Sequence, residues 1–202
     1  MMDLAMMGSG TGAIIEERMI QKLPAIRNRL QVDEVIGVGG VSDENRNDNT
    51  YVDYRGNTVT ISVGDSRRGW VDAYTALIEA SSELEFDSQR PVHIKVDLSH
   101  VRPAGEKLKG FGGTSNPIKL ENLFYRITEI LNGALGRQLT SVECCLLLDE
   151  AATVVVAGNI RRSAGMRQFN SEDIAAASAK DNLWQQDAEG NWRIDPQRDA
   201  LR

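Results

Sequence analysis

The sequence predicts an α/β fold, and three observations predict it. Val92, Ile94, Val96 and Leu98 alternate with His93, Lys95 and Asp97, the period of two that places one face of a strand in a core. Residues 51–63 read as a hairpin, because YVDY and TVTISV flank a turn-compatible Arg55–Gly56–Asn57. Two stretches carry helical spacing: Trp70, Tyr74, Leu77, Ser81 and Leu84, then Leu120, Leu123, Phe124, Ile127 and Leu131.

The remaining elements follow in order. An apolar stretch from Leu4 is broken by GSGTG and leads into a strand at Ala13–Ile15. A helix-like polar connection runs on to Arg29, VDEVIGVGG follows, and the polar SDENRNDN marks a loop. Asp65–Ser66 supplies helix N-cap chemistry, since a side-chain oxygen there can accept from an unpaired first-turn N–H. The strand over 92–98 is either half-buried or an edge facing a site. Residues 102–116, RPAGEKLKGFGGTSN, form a glycine-rich loop, followed by helices over 118–131 and about 141–152. TVVVAGNIRRSAGM feeds a second Gly/Arg loop, and a helix is expected to start near Ser171. The polar tail DAEGNWRIDPQRDALR shows no terminus of its own, as though the chain stopped in mid-sequence.

Composition excludes several classes. With 41% hydrophobic and 26% charged residues the chain is an ordinary folded protein, not a disordered one. A net charge of −6 argues against general nucleic-acid binding, and no apolar run approaches the roughly 18–20 residues of a membrane span. With no secretory signal in the N-terminal stretch, a cytoplasmic location is expected. Cys144 and Cys145 are adjacent in VECCLLL, lack metal-ligand spacing, and read as buried small hydrophobes.

Three glycine-bearing segments carry the functional argument. GSGTG has the spacing GxGxG rather than GxGxxG and no preceding strand, so it reads as a close-packed turn rather than a dinucleotide fingerprint. GDSRRGW opens a helix, whose N-terminal N–H groups and dipole favour an anion. Arg67 and Arg68 would add charge for phosphate, and Asp65 could accept from a sugar hydroxyl or a base. Taken alone, this segment is more simply a capped surface helix with solvated arginines. The third signal is the pair of loops, RPAGEKLKGFGGTSN and AGNIRRSAG. Their glycines let backbone approach a ligand, and Arg102, Lys107, Lys109, Arg161 and Arg162 supply cations, arginine with a planar fork suited to phosphate. Two such loops in an acidic chain favour a phosphate-bearing ligand. No catalytic constellation is visible. His93 and His100 lack a nucleophile partner, and Asp149–Glu150 reads as a solvated helix end.

MGSGTGAIIE, GDSRRGW, DLSHVRPAGEKLKGFGGTSNP and VVVAGNIRRSAGM, in that order, resemble the monomeric, adenosylcobalamin-dependent (class II) ribonucleoside-triphosphate reductases. The resemblance implies part of a ten-stranded α/β barrel with an inserted α+β effector-binding subdomain. Residues 1–15 would be an early barrel strand region, 16–98 the insertion, and 99–202 a barrel segment carrying both specificity loops. By motif, Asp65, Ser66, Arg67, Arg102, Lys109, Gly112 and Gly113 would bind a deoxynucleoside triphosphate effector. Gly158, Asn159, Arg161, Arg162 and Ser163 would form the loop that relays its identity to the ribonucleoside triphosphate substrate.

The resemblance also implies a thioredoxin-type reductant, and adenosylcobalamin bound outside this segment. The family's radical cysteine, in an NPCGE-like string, and its redox cysteines have no counterpart here. The sequence therefore suggests an internal piece, truncated or split, that does not catalyse alone. The alternative is a stand-alone nucleotide-binding regulatory module.

Overall fold

The computed structural model describes residues 1–107, 115, 117–155, 164–195 and 198. Its largest sheet has four strands in the order β2 (Leu30–Ile36), β5 (Val92–Asp97), β4 (Thr58–Ser62) and β3 (Tyr51–Arg55). β5 runs parallel to both neighbours, and β3 closes one edge as the antiparallel partner of β4. The strand over 92–97 is thus an inner strand, not an edge. Its alternation reflects a sheet with one face in a core: Val59, Ile61, Val92, Ile94, Val96 and Leu98 are almost fully buried.

That face is covered by α3 (Arg67–Ala80) and α4 (Leu120–Gly133). All five in-phase residues of α4 are buried, as the spacing predicts. In α3 the expected stripe is displaced. Its buried positions are Gly69, Ala73, Ala76, Leu77 and Ala80, with Trp70 and Tyr74 at the margin. The helix ends at Ala80, and Leu84 lies beyond it, exposed. Alanines let α3 approach the sheet closely, a choice that a search for large apolar residues overlooks. Buried Asn28 donates to the carbonyls of Ala80 (2.9 Å) and Glu83 (2.7 Å), which satisfies acceptors at the end of this helix.

Helix α5 (Ser141–Val155) packs on α4 and on the short α1 (Met2–Met6). It contains Asp149 and Glu150 in mid-helix, contrary to the solvated helix end expected for them. Adjacent helical residues diverge, and each carboxylate meets a different arginine: Asp149 pairs with Arg167, and Glu150 with Arg126 at 2.6 Å. Cys144 and Cys145 are free thiols on α5, one half-buried and one buried. Burial pushes the Cys144 thiol up to about 11, so neither a reactive thiolate nor a disulfide is on offer.

Around this body lie two smaller sheets and two one-turn helices. β1 (Thr11–Ile14) pairs in parallel with β6 (Gly165–Gln168), and β7 (Trp184–Gln186) with β8 (Trp192–Ile194) as a hairpin. The connection after β1 contains α2 (Glu17–Ile20), a single turn. The helix expected from Ser171 is also one turn, α6 (Ile174–Ala177), capped by Asp173. No ten-stranded barrel is formed among the described residues; the fold is mixed α/β with separate sheets. Nor is any helix among them long and apolar enough to cross a membrane.

Candidate functional site

The N-terminus of α3 is built by three segments that meet. Ser66 is the N-cap, as its position predicts: its hydroxyl accepts from the Gly69 N–H at 2.9 Å and donates to the Asp48 carbonyl at 2.6 Å. Segment 43–50 lies across this turn. The Asp65 N–H donates to the Asn47 carbonyl (2.7 Å), and the Thr50 hydroxyl donates to the Gly69 carbonyl (2.6 Å) and accepts from the Gly64 N–H (3.0 Å). His100 fastens the same segment, its Nδ1 accepting from the Asn47 N–H at 3.2 Å. Two glycines make the approach possible. A Cβ on Gly64 would sit 2.3 Å from the Asp48 carbonyl oxygen, and one on Gly69 would sit 2.7 Å from the Gly64 carbonyl oxygen.

The third segment is the neck of the glycine-rich loop. Arg102 Nε lies 3.0 Å from both carboxylate oxygens of Asp65, Nη2 lies 2.9 Å from Oδ2, and the Arg102 N–H donates to Oδ1 at 3.0 Å. Both side chains are largely buried, at 12% and 5% exposure. The remaining edge of the guanidinium faces the Lys107 carbonyl at 3.4 Å. The neck closes on itself, with the Gly105 N–H donating to the Ser115 carbonyl (2.9 Å) and the Ser115 N–H to the Glu106 carbonyl (2.7 Å). Gly105 has a φ of +87°, a left-handed turn that suits glycine.

Of the sequence-predicted site residues, the structure brings Asp65 and Arg102 into contact, with Ser66 and Arg67 following Asp65 at the start of the helix. It also alters what they can do. The Asp65 carboxylate and the Arg102 fork occupy each other, and the Ser66 hydroxyl is engaged in both directions. Arg67 is half exposed, 3.4 Å from Asp3 across the surface. Arg68 is exposed and pairs with Asp72 one turn on. Lys109, Gly112 and Gly113 of the first loop, and Gly158, Asn159, Arg161, Arg162 and Ser163 of the second, lie outside the described residues.

Sequence reasoning missed Arg46, Glu106 and the carbonyls of Asn47 and Asp48. Arg46 Nη1 lies 2.6 Å from Glu106, and this guanidinium holds the Glu106 carboxyl below the usual carboxylate range. The two residues are 60 positions apart, and no local spacing signals such a pair. A lone arginine inside the acidic run SDENRNDN was the faint clue.

Among the described residues, no group of His, Cys, Asp and Glu is placed to hold a metal ion. A cavity of about 180 Å³ opens between α1, α3 and α5, lined by Met2, Ala5, Val71, Tyr74, Leu148 and Arg167 among others. It is far too small for a corrin ring with its adenosyl and nucleotide arms.

The described residues thus form a mixed α/β unit that ties a capped helix N-terminus to the neck of a glycine-rich loop. The chain belongs to the B12-dependent ribonucleotide reductase family, matching the model of that family's insertion domain over residues 21–131, more than half its length. The matched stretch runs past residue 98 and takes in most of α4.

The chain is 32% identical over 196 residues to the adenosylcobalamin-dependent ribonucleoside-triphosphate reductase of Levilactobacillus brevis, covering 89% of this chain and 25% of that protein. It is 32% identical over 191 residues to the protein of the same name from Lactobacillus leichmannii, covering 88% and 25%. A crystal structure of a B12-dependent (class II) ribonucleotide reductase superposes with a TM-score of 0.69 at 25% identity, over 93% of this chain and 26% of that one. The chain thus spans about a quarter of the length of the relatives it matches.

Proposed function

We propose that this chain carries the allosteric specificity site of a ribonucleotide reductase. The enzyme would reduce ribonucleoside triphosphates to deoxyribonucleoside triphosphates in the cytoplasm, with adenosylcobalamin as cofactor and a thioredoxin-type reductant. The effector is a deoxynucleoside triphosphate, bound where the glycine-rich loop meets α3. In this reading Asp65 and Arg102 hold loop to helix. Ser66 shapes the helix start, while Arg67 and the loop residues Lys109, Gly112 and Gly113 approach the phosphates. Gly158, Asn159, Arg161, Arg162 and Ser163 then carry the effector's identity toward the substrate, with β1 and β6 as part of a barrel wall.

One observation carries the reading. The buried, two-oxygen pairing of Arg102 with Asp65 fixes the neck of a cationic glycine loop beside a helix N-terminus, where backbone dipoles already favour an anion. Equilibrium dialysis of the 202-residue chain against each deoxynucleoside triphosphate tests it. Saturable binding that Arg102→Leu abolishes is expected. Retention of no nucleotide, or equal retention by the variant, would count against it.

A second reading, a stand-alone regulatory module, is favoured by the continuous core that joins the four-stranded sheet to α3, α4 and part of α5. Both readings give the isolated chain an effector site and no catalysis, because Cys144 and Cys145 are helix-bound neighbours that form no exchangeable pair. Deoxynucleotide formation by this chain on its own would contradict both.

A further inference from the structure

Arg46 sits in the middle of the segment that crosses the start of α3, and its side chain is only 8% exposed. An arginine so enclosed requires partners. Besides Glu106, its Nη1 lies 3.6 Å from Asp43 and 3.7 Å from Asp65 Oδ2, and its Nε donates to the Val41 carbonyl at 3.1 Å. Glu106 belongs to the neck of the glycine-rich loop, where its carbonyl also accepts from Ser115. One guanidinium therefore spans three stretches of chain: the 41–46 loop, the β4–α3 junction and the loop neck. Asp65 Oδ2 lies within reach of Arg46 on one side and Arg102 on the other.

We propose that Arg46 is a positioning residue of the effector site, which clasps Glu106 and so holds the neck of the glycine-rich loop against the N-terminus of α3 before a deoxynucleoside triphosphate arrives. This rests on the effector-site reading above. The charges decide how Arg46 acts. Among the described residues, the Arg46 and Arg102 guanidinium groups are both answered by carboxylates, those of Asp43, Asp65 and Glu106, so neither is held ready for a triphosphate. The contribution of Arg46 is geometric: a neck already held in place has less freedom to lose when ligand binds.

The geometric role separates cleanly from an electrostatic one. Arg46→Gln and Glu106→Gln remove opposite charges, yet both release the neck. Each is expected to weaken deoxynucleoside triphosphate binding in equilibrium dialysis by about tenfold, and the double variant by no more than either alone, as for residues that act through one contact. Arg46→Lys should restore part of the affinity. Without nucleotide, tryptic cleavage after Lys107, followed by mass spectrometry, should accelerate in both Gln variants.

Tighter binding by Glu106→Gln would show that Arg46 acts as a simple counter-charge, overturning the proposal. So would unchanged affinity and cleavage in a wild-type chain that binds. Failure of the wild-type chain itself to bind would overturn the effector-site reading, and the positioning role with it. Glu106 is 31% exposed, so its variant preserves the test if Arg46→Gln does not fold.

Discussion

The four-stranded sheet with α3 and α4, and the region from residue 165 onward, solve the problem of burial differently. The first has a continuous core that includes Val59, Ile61, Leu77, Ile94, Phe124 and Leu131, all within 1% of fully buried. The second rests on a small cluster, Ile15, Cys145, Leu146 and Leu183, and leaves Met166, Ile174, Trp184 and Trp192 between half and nearly three-quarters exposed. Only the first lies within the stretch that matches the insertion-domain family model. A region joined by one continuous core can serve as a rigid frame for a loop. A segment with open apolar faces contributes little stability by itself.

The largest effects should separate the two regions. Phe124→Ala removes a fully buried ring from the main core and is expected to cost about 3–5 kcal/mol in urea unfolding. Trp192→Ala, on the exposed hairpin, should stay within about 0.5 kcal/mol. Comparable losses at the two sites would erase the distinction. Next in size is Gly64→Ala, which forces a methyl group into the Asp48 carbonyl. A loss of about 1–3 kcal/mol is expected, together with weaker effector binding, because the clash displaces the segment that carries Arg46. An Ala variant as stable as wild type would mean that segment 43–50 does not need its close seat on α3.

The third prediction concerns acid. A side-chain hydrogen bond with His93 lowers the Asp33 carboxyl, and Arg46 lowers Glu106 in the same way. Burial pushes Glu143 up, but Arg137 together with the Thr140 N–H and hydroxyl outweighs it. Carboxylates lowered by folding stabilise the native state above their unfolded values, 3.8 for Asp and 4.5 for Glu, and lose that contribution as pH falls through the folded values. The melting temperature attributable to these groups should be flat from pH 7 to about 5 and fall below that. The acid limb should shrink in an Asp33→Asn/Glu106→Gln double variant. An unchanged limb would place the acid sensitivity elsewhere.

Much of the self-contained region was legible in the sequence, because its elements bury one face with a regular period. The strand over 92–98, the hairpin at 51–63, the Ser66 cap and the α4 stripe all follow from spacing alone. The α3 stripe was misplaced because alanines, not large side chains, face the sheet. Asp149 and Glu150 were misread because their arginine partners, Arg167 and Arg126, lie 18 and 24 positions away. At the candidate site Asp65 and Arg102 do meet, yet their charges answer one another. The cap and the glycines are local signals, whereas the Arg46–Glu106 and Asp65–Arg102 pairs exist only once the sheet has brought three loops together.

Hydrogen–deuterium exchange with and without a saturating deoxynucleoside triphosphate tests the central claim most directly. Ligand should slow exchange at amides 64–70 and 102–107, where loop neck and helix N-terminus are joined, and leave 174–195 unchanged. Protection confined to 174–195, or absent everywhere at saturation, would contradict the account.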